Sequence, residues 1–369
     1  MSAGTAPPLP RWADIVLLPL INLAIAFIIC GVIVAILGEN PFQALAVMFN
    51  GAFVFPGGLG YTLYYTTNLV FTGLAVATAF HAAMFNIGGE GQAYVAGLGT
   101  AIVAFTLGAL PGIIVIPLAV LGAAALGALW GVVPGYLQAY RGSHIVITTI
   151  MFNFIAASVM VYLLAGPLLQ PGQQSPQTSP LPGSSHLPKL HELGLPLDAS
   201  PLNASFLIAL LALVAFWVLI WRTRLGYAIR TVGQNPEAAH YAGINVPRTI
   251  VLTMAIAGGF AGLLATNEIL GVSQKVVLNF TAGYGFTGIA VALMGRNHPL
   301  GIFLAALLFG ALYQGGAELD FEFQSITRDM VLLIQGMIIL FSGALAYMFN
   351  PPLARLIARL SPRREAAYG

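Results

Sequence analysis

The sequence predicts an all-α, polytopic membrane protein of about ten transmembrane helices, with one broken helix and one short capped helix on the cytoplasmic side. Three observations carry that fold class. Apolar residues make up 58% of the 369 residues and charged residues only 7%, where soluble domains average about 25% charged. Mean hydropathy is +0.88. The apolar residues fall in runs long enough to cross about 30 Å of hydrocarbon as helices, and most basic residues gather in the joins between those runs.

Residues 1–14 form a small, proline-containing tail. The expected spans cover about 15–37, 61–82, 91–108, 112–138, 144–165, 205–221, 249–270, 283–295, 300–317 and 329–348. Together they make one transmembrane domain over 15–350, followed by a basic tail at 351–369. Residues 15–37 are long enough to span and carry no small-residue cleavage pattern, so the first helix reads as uncleaved. Cys30 is the single cysteine, which excludes an intramolecular disulfide and a multi-cysteine metal site. With the N-terminus inside, eleven basic residues (Arg11, Arg141, Arg222, Arg224, Arg230, Arg248, Arg296, Arg355, Arg359, Arg363, Arg364) lie inside and three (Lys189, Lys275, Arg328) outside. Both termini are therefore expected in the cytoplasm of a cell whose inner membrane holds the chain. The net charge of +2 gives no footing for nucleic acid.

The loop 166–204 is the one long external segment, rich in Pro, Ser, Gln and Gly, and is expected to be mostly irregular. A spacer and a docking surface both fit it. In the fourth span Ala123, Gly127, Gly131 and Gly135 recur at intervals of four, a stripe that lets helices approach closely in lipid. FTGLAVA at 71–77 is echoed by FTGIAVA at 286–292, six identical positions in seven, in spans that run the same way. Duplication and chance both account for an echo in apolar sequence.

Two polar stretches interrupt this pattern. The first, 222–248, is basic and carries a small helix with both ends marked. Asn235 is a candidate N-cap, Pro236 suits the first helical position, and Glu237 sits where the helix dipole favours an anion. Ala238, Ala239, His240, Tyr241 and Ala242 continue the helix, and Gly243, followed by Ile244, is placed to end it. About two turns do not hold alone in water, so this helix must pack against the rest of its own chain or a partner, and docking on a partner is the expectation. The second stretch is MFNIGGEGQ at 84–92. Gly88, Gly89 and Gly91 disfavour a continuous helix. Glu90 would cost at least about 2.5 kcal/mol deep in hydrocarbon, so it must meet water, protein or a helix N-terminus. Either the break lines a translocation path or gate, or it is an ordinary turn that Glu90 caps. Asn68, Asn153, Gln335 and the pair Asn267 and Glu268 are the other polar residues inside spans, and interhelical hydrogen bonds are their expected use.

Several chemistries are missing from the chain. Neither Lys189 nor Lys275 lies in a phosphate-binding loop, and HExxH is absent. Asp14, Asp198, Asp320 and Asp329 fall in tails, loops or span ends, and His81 and His144 have no partner at metal-ligand spacing. No nucleophile–base pair is visible within the bilayer, so an enzyme with its own active site is not expected.

MFNIGGEGQ at 84–92, GQNPEAAHYAGIN at 233–245 and GFTGIAVALMGRNHPLG at 285–301 together resemble bacterial ABC-importer permeases for nucleosides and simple sugars, within the branched-chain amino acid and ribose-type superfamily. The order and spacing of the three segments match over roughly residues 15–350. The resemblance implies a pair of permeases driven by cytoplasmic ATPase subunits and fed by an external substrate-binding lipoprotein. It makes 235–244 the coupling helix that enters a groove on the ATPase, which agrees with the partner that helix needs. ATP and Mg would be used by that partner, and this chain would bind no cofactor of its own. NIGGEGQ at 86–92 resembles the nucleoside systems and their sugar relatives, and the chain resembles the longer of two unlike permeases, so a heterodimer is expected. Asn86, Gly88, Gly89, Glu90, Gly91, Gln92 and Asn153 are then the candidate gate and path residues. Two other readings stand beside nucleoside import: a pentose or hexose permease, and an ion-coupled secondary carrier using Glu90 or Glu268. The second leaves the capped helix at 235–244 without a role.

Overall fold

A computed structural model describes residues 17–194, 198–323 and 325–341, with the single positions 10, 13 and 354. Nearly all of both expected tails, and the tenth span beyond 341, lie outside the described residues. The described helices are α1 (Leu18–Ile36), α2 (Pro41–Phe53), α3 (Gly58–Phe80), α4 (Gly89–Leu107), α5 (Gly112–Arg141), α6 (Ile145–Ala165), α7 (Ser205–Arg222), α8 (Arg224–Gln234), α9 (Pro236–Tyr241), α10 (Val246–Gly262), α11 (Tyr284–Met294), α12 (Pro299–Glu322) and α13 (Arg328–Ile339). A π-helical stretch at Thr266–Ser273 continues α10. The described residues contain isolated β-bridges but no named strand. The chain is all-α.

Among the described residues, five helices are long and apolar enough to cross a membrane: Gly112–Arg141, Ile145–Ala165, Ser205–Arg222, Val246–Ser273 and Pro299–Glu322. A sixth follows if α1 and α2, bent by 116° to one another, count as one broken span. Ten were expected; the tenth runs beyond the described residues, and two physical features bear on α3, α4 and α11. At 23 and 19 residues α3 and α4 have the length, but they face protein on most sides and carry buried Thr62, Thr66, Thr67, Asn68, Thr72, Gln92 and Thr100. By contrast α11 has only 11 residues, about 16 Å of helix, roughly half the hydrocarbon thickness. Two helices escaped the sequence reading. The 13 residues of α2 are too few for a span-length window, and α8 is too polar on one face to resemble one.

The chain divides into two compact units, 49–315 and 1–48 with 316–369. In the larger, α5 packs along α10 through the predicted stripe. A Cβ at Gly127 would collide with the Gly258 carbonyl, one at Gly258 with the Gly127 carbonyl, and one at Gly131 with the Met254 carbonyl. Backbones in such contact replace the hydrophobic drive that lipid does not supply. The echoed segments are also neighbours: Gly288 packs on Thr72, and Gly73 on Val291 and Ile302. Further along, His81 Nε2 lies 3.1 Å from the Asn297 carbonyl. Contacts that ascend together in both segments mean that α3 and α11 run parallel. The described residues of the loop 166–204 are mostly irregular, as expected, with a 3₁₀ turn at Gly183–Ser185. It is nevertheless pinned: Thr178 N donates to Val276 O, Leu181 N to Gln274 O and Leu187 N to Leu270 O, at 2.7–3.0 Å.

In the smaller unit α1 turns into α2 at Gly38, whose φ is +89°, and Asn40 Oδ1 caps α2 by accepting from Phe42 N at 2.9 Å. Cys30 is buried against α13.

Candidate functional site

The break predicted at 84–92 separates α3 from α4. The chain leaves α3 through Ala83, a non-glycine residue at φ +54°, and re-enters a helix at Gly89. Early N–H groups of a helix have no partner within it, and side chains supply them here. Asn86 Oδ1 accepts from Gly88 N at 2.9 Å, and Asn153 of α6 accepts from Gly91 N at 2.8 Å while donating to Ile87 O at 2.9 Å. Asn86 Nδ2 donates to Gln92 Oε1 at 3.1 Å, and both side chains are buried. Asn86, Gly88, Gly91, Gln92 and Asn153 thus converge on one turn, with Gly89 and Glu90 within it.

Glu90 does not cap its own helix. Its Oε1 accepts from Thr281 Oγ1 at 2.5 Å and Gly283 N at 2.9 Å, and Oε2 accepts from Gly285 N at 2.8 Å. The carboxylate therefore closes the start of α11, 191 residues away for Thr281, where the helix dipole favours an anion. The approach is tight on one side: a Cβ at Gly285 would collide with the Glu90 backbone. At Gly89 a Cβ would stand 3.5 Å from the Gly285 carbonyl, an ordinary contact.

A second polar cluster lies beside it. Glu268, on the π-helical stretch, accepts through Oε1 from Tyr64 Oη and Asn68 Nδ2, both at 2.5 Å. Asn267 Nδ2 donates to Asn68 Oδ1 at 2.8 Å, and its Oδ1 accepts from Asn203 Nδ2 at 2.8 Å and Ser205 Oγ at 2.7 Å. Asn68, Asn267, Asn203 and Ser205 are almost fully buried, so the interhelical use expected of Asn68, Asn267 and Glu268 is what the structure has. Tyrosines from three helices complete the cluster: the Tyr65 ring lies 5.1 Å from Tyr64, 5.4 Å from Tyr313 and 6.4 Å from Tyr284. Tyr313 Oη meets Thr287 Oγ1 at 3.1 Å. Sequence reading missed these tyrosines because they lie in three separate spans and look there like ordinary interior aromatics.

In the third region α9 is a six-residue helix whose N-cap is Asn235, with Oδ1 accepting from Glu237 N at 2.9 Å and Ala238 N at 3.1 Å. Gly243 leaves it at φ +77°, and Ile244 N closes on Ala239 O at 3.0 Å. Only Ala239 of this helix is buried, while Tyr241 is 90% exposed. Just before it, α8 buries Ile229 and Val232. At Gly233 a Cβ would collide with the His81 carbonyl. The segment that carries α9 thus touches the chain at the point where α3 ends and the break begins.

Long apolar helices around buried polar clusters, with two helix starts joined through one carboxylate, define a membrane-transport class of protein. Comparison with known proteins gives the family. Residues 58–343 match the family described as branched-chain amino acid transport system / permease component, and the chain belongs to it. It is 36% identical over 329 residues to the guanosine ABC transporter permease protein NupP of Bacillus subtilis, covering 88% of this chain and 92% of that one. It is 34% identical over 328 residues to the glucose ABC transporter permease protein TsgB13 of Haloferax volcanii, covering 88% and 86%. The nucleoside ABC transporter permease protein NupB of Lactococcus lactis is 33% identical over 330 residues, covering 88% and 90%. No solved structure matches the chain.

Proposed function

We propose that this chain is the permease subunit of an ATP-driven importer that carries nucleosides across the bacterial inner membrane. Two of the relatives above are named for guanosine and nucleosides, and the third, named for glucose, keeps a simple-sugar cargo as the second reading. The observation that carries a transport role is Glu90, whose carboxylate ties the start of α4 to the start of the half-length helix α11. Helices that begin inside a bundle present backbone groups to a polar path, as in other transporters. In this reading α1, α3, α4, α5, α6, α7, α10, α11, α12 and α13 supply ten crossings, with both termini cytoplasmic. Asn86, Gly88, Gly89, Glu90, Gly91, Gln92 and Asn153 form the gate.

The exposed helix α9, residues 235–244 with its caps, enters a groove on a cytoplasmic ATPase subunit, which binds ATP and Mg. A second, unlike permease completes the path, and an external lipoprotein delivers the cargo. This chain performs no hydrolysis. Of the two carboxylates an ion-coupled carrier could use, Glu90 already holds three donors and Glu268 two, and such a carrier would leave the capped helix α9 without a role. The test is uptake of labelled guanosine and labelled ribose into proteoliposomes holding the complete transporter, with and without ATP. ATP-dependent guanosine uptake is expected. Ribose uptake alone would favour the sugar reading, and uptake that needs an ion gradient but no ATP would overturn the importer.

A further inference from the structure

We propose that Tyr65, Tyr284 and Tyr313, with the Glu268 carboxylate beside them, form a transit site that holds a planar heterocyclic base by stacking and its sugar hydroxyls by hydrogen bonding. This deepens the cargo reading above and rests on it.

Four observations support the site. First, tyrosine is used where phenylalanine would pack as well. A phenol inside a membrane bundle brings a hydroxyl that must find a partner, and four gather here: Tyr64, Tyr65, Tyr284 and Tyr313. Second, the rings make walls rather than one stack. Tyr65 and Tyr313 lie 27° from parallel, whereas Tyr284 is tilted by 49° to the first and 57° to the second. Tyr64 and Tyr284 are buried while Tyr65 and Tyr313 are only partly so, which leaves ring area of the stacked pair uncovered. Third, Glu268 is nine-tenths buried, at 8% exposed, yet its acceptors are used unevenly. Oε1 takes both hydrogen bonds, and Oε2 takes none among the described residues. Fourth, Glu268 stands on a π-helical stretch, a distortion that recurs at functional sites because it re-aims side chains out of helical register.

The chemistry of the walls selects the cargo. Stacking on tyrosine suits any flat π system and tolerates changes of base. A carboxylate oxygen without a donor suits a hydroxyl donor, such as a sugar diol. A base joined to a sugar satisfies both, and a free pentose satisfies only the second. With its centroids 5.4 Å apart, the Tyr65–Tyr313 pair is too close to admit a ring, which needs about 7 Å between walls at ordinary carbon contact distances. The pair is closed here and must part by roughly 2 Å to load. Opening and filling are therefore one event. Such a site holds cargo briefly, as a pathway requires.

Two measurements on the complete transporter test this. In proteoliposomes, Tyr65→Leu and Tyr313→Leu should each lower guanosine uptake about tenfold, the scale of a lost stacking contact, while Tyr65→Phe and Tyr313→Phe should keep it within about threefold. On the unmutated transporter, saturation transfer from tyrosine ring protons should reach the base protons of guanosine at millimolar concentration and should not reach ribose. If the wild type imports guanosine but the leucine variants import it equally well, or no transfer to the base is seen, the transit site is overturned. If the wild type imports ribose and no nucleoside, the cargo reading itself fails and the site fails with it. The transfer measurement needs no variant, so poor folding of a substituted chain cannot hide the answer.

Discussion

At the scale of single residues, Glu90 is the informative position. It is a charge placed by sequence beside a glycine cluster and by structure at the start of another helix. Glutamine in its place keeps the shape and one acceptor oxygen, but it turns an NH₂ group toward backbone N–H groups that now donate to a carboxylate. At least one of the bonds from Thr281, Gly283 and Gly285 must be lost. A hydrogen bond to a charged group contributes about 1.5–3 kcal/mol, so Glu90→Gln should lower ATP-dependent uptake about tenfold or more while the protein still reaches the membrane. Wild-type uptake by this variant would remove the tie from the mechanism. The break before Glu90 was legible from the glycine cluster, although Gly89 and Gly91 themselves lie in the first turn of α4 and only Gly88 stands outside it. The partners of Glu90 were not, since nothing in a local window says that Thr281 or Gly285 folds back against it. Glu268 taught the same lesson, its bonds to Tyr64 and Asn68 spanning 204 and 200 residues.

At the scale of elements, the most readable piece of the chain was also one of the smallest. Asn235, Pro236 and Gly243 mark the ends of α9, and those end signals are local, although packing at the buried Ala239 supports the helix between them. By contrast α8 was not legible, because Arg224, Arg230 and Gln234 hide an apolar face whose burial only tertiary packing reveals. The echo FTGLAVA and FTGIAVA has a plain use, since the glycine of each copy packs against the other segment. Whether duplication made it, packing now requires it. For α9 the expectation is functional. Gly243→Val forces a β-branched residue to φ near +77°, which such residues strongly resist, and so tilts the end of the helix. Glu237→Arg reverses the charge in the exposed first turn, against the dipole. Both variants should assemble in the membrane yet lose cargo-stimulated ATP hydrolysis and uptake in the reconstituted transporter. Normal coupling in both would mean that α9 is not the contact with the ATPase.

At the scale of the whole molecule, the partner proposed for this chain is a second, different permease. Native mass measurement of the transporter should find one copy of this chain beside a second, unlike permease; two copies and no other permease would overturn that. Alternating access makes a sharper demand on the break. Asn86 is fully buried, its side chain bonded to Gly88 and Gln92, and Asn153 holds the adjoining turn to α6. A cysteine placed there cannot react with a polar thiol reagent unless this turn parts from its neighbours. Cys30 is the only native cysteine and is buried, so Cys30→Ala gives a silent background at the cost of one small core contact. On that background Asn86→Cys should stay unlabelled in a state with the gate shut and react in at least one other state of the ATP cycle. The two states are set by withholding ATP and by trapping the transporter with a non-hydrolysable analogue. Loss of the Asn86 side chain also removes three hydrogen bonds, so the control is Gln92→Cys, one turn into α4. Gln92 is just as buried but stands inside the helix, and it should label more slowly in every state. If Asn86→Cys reacts at one rate throughout, the segment 84–92 does not open and close, and Glu90 serves only to hold α11 in place.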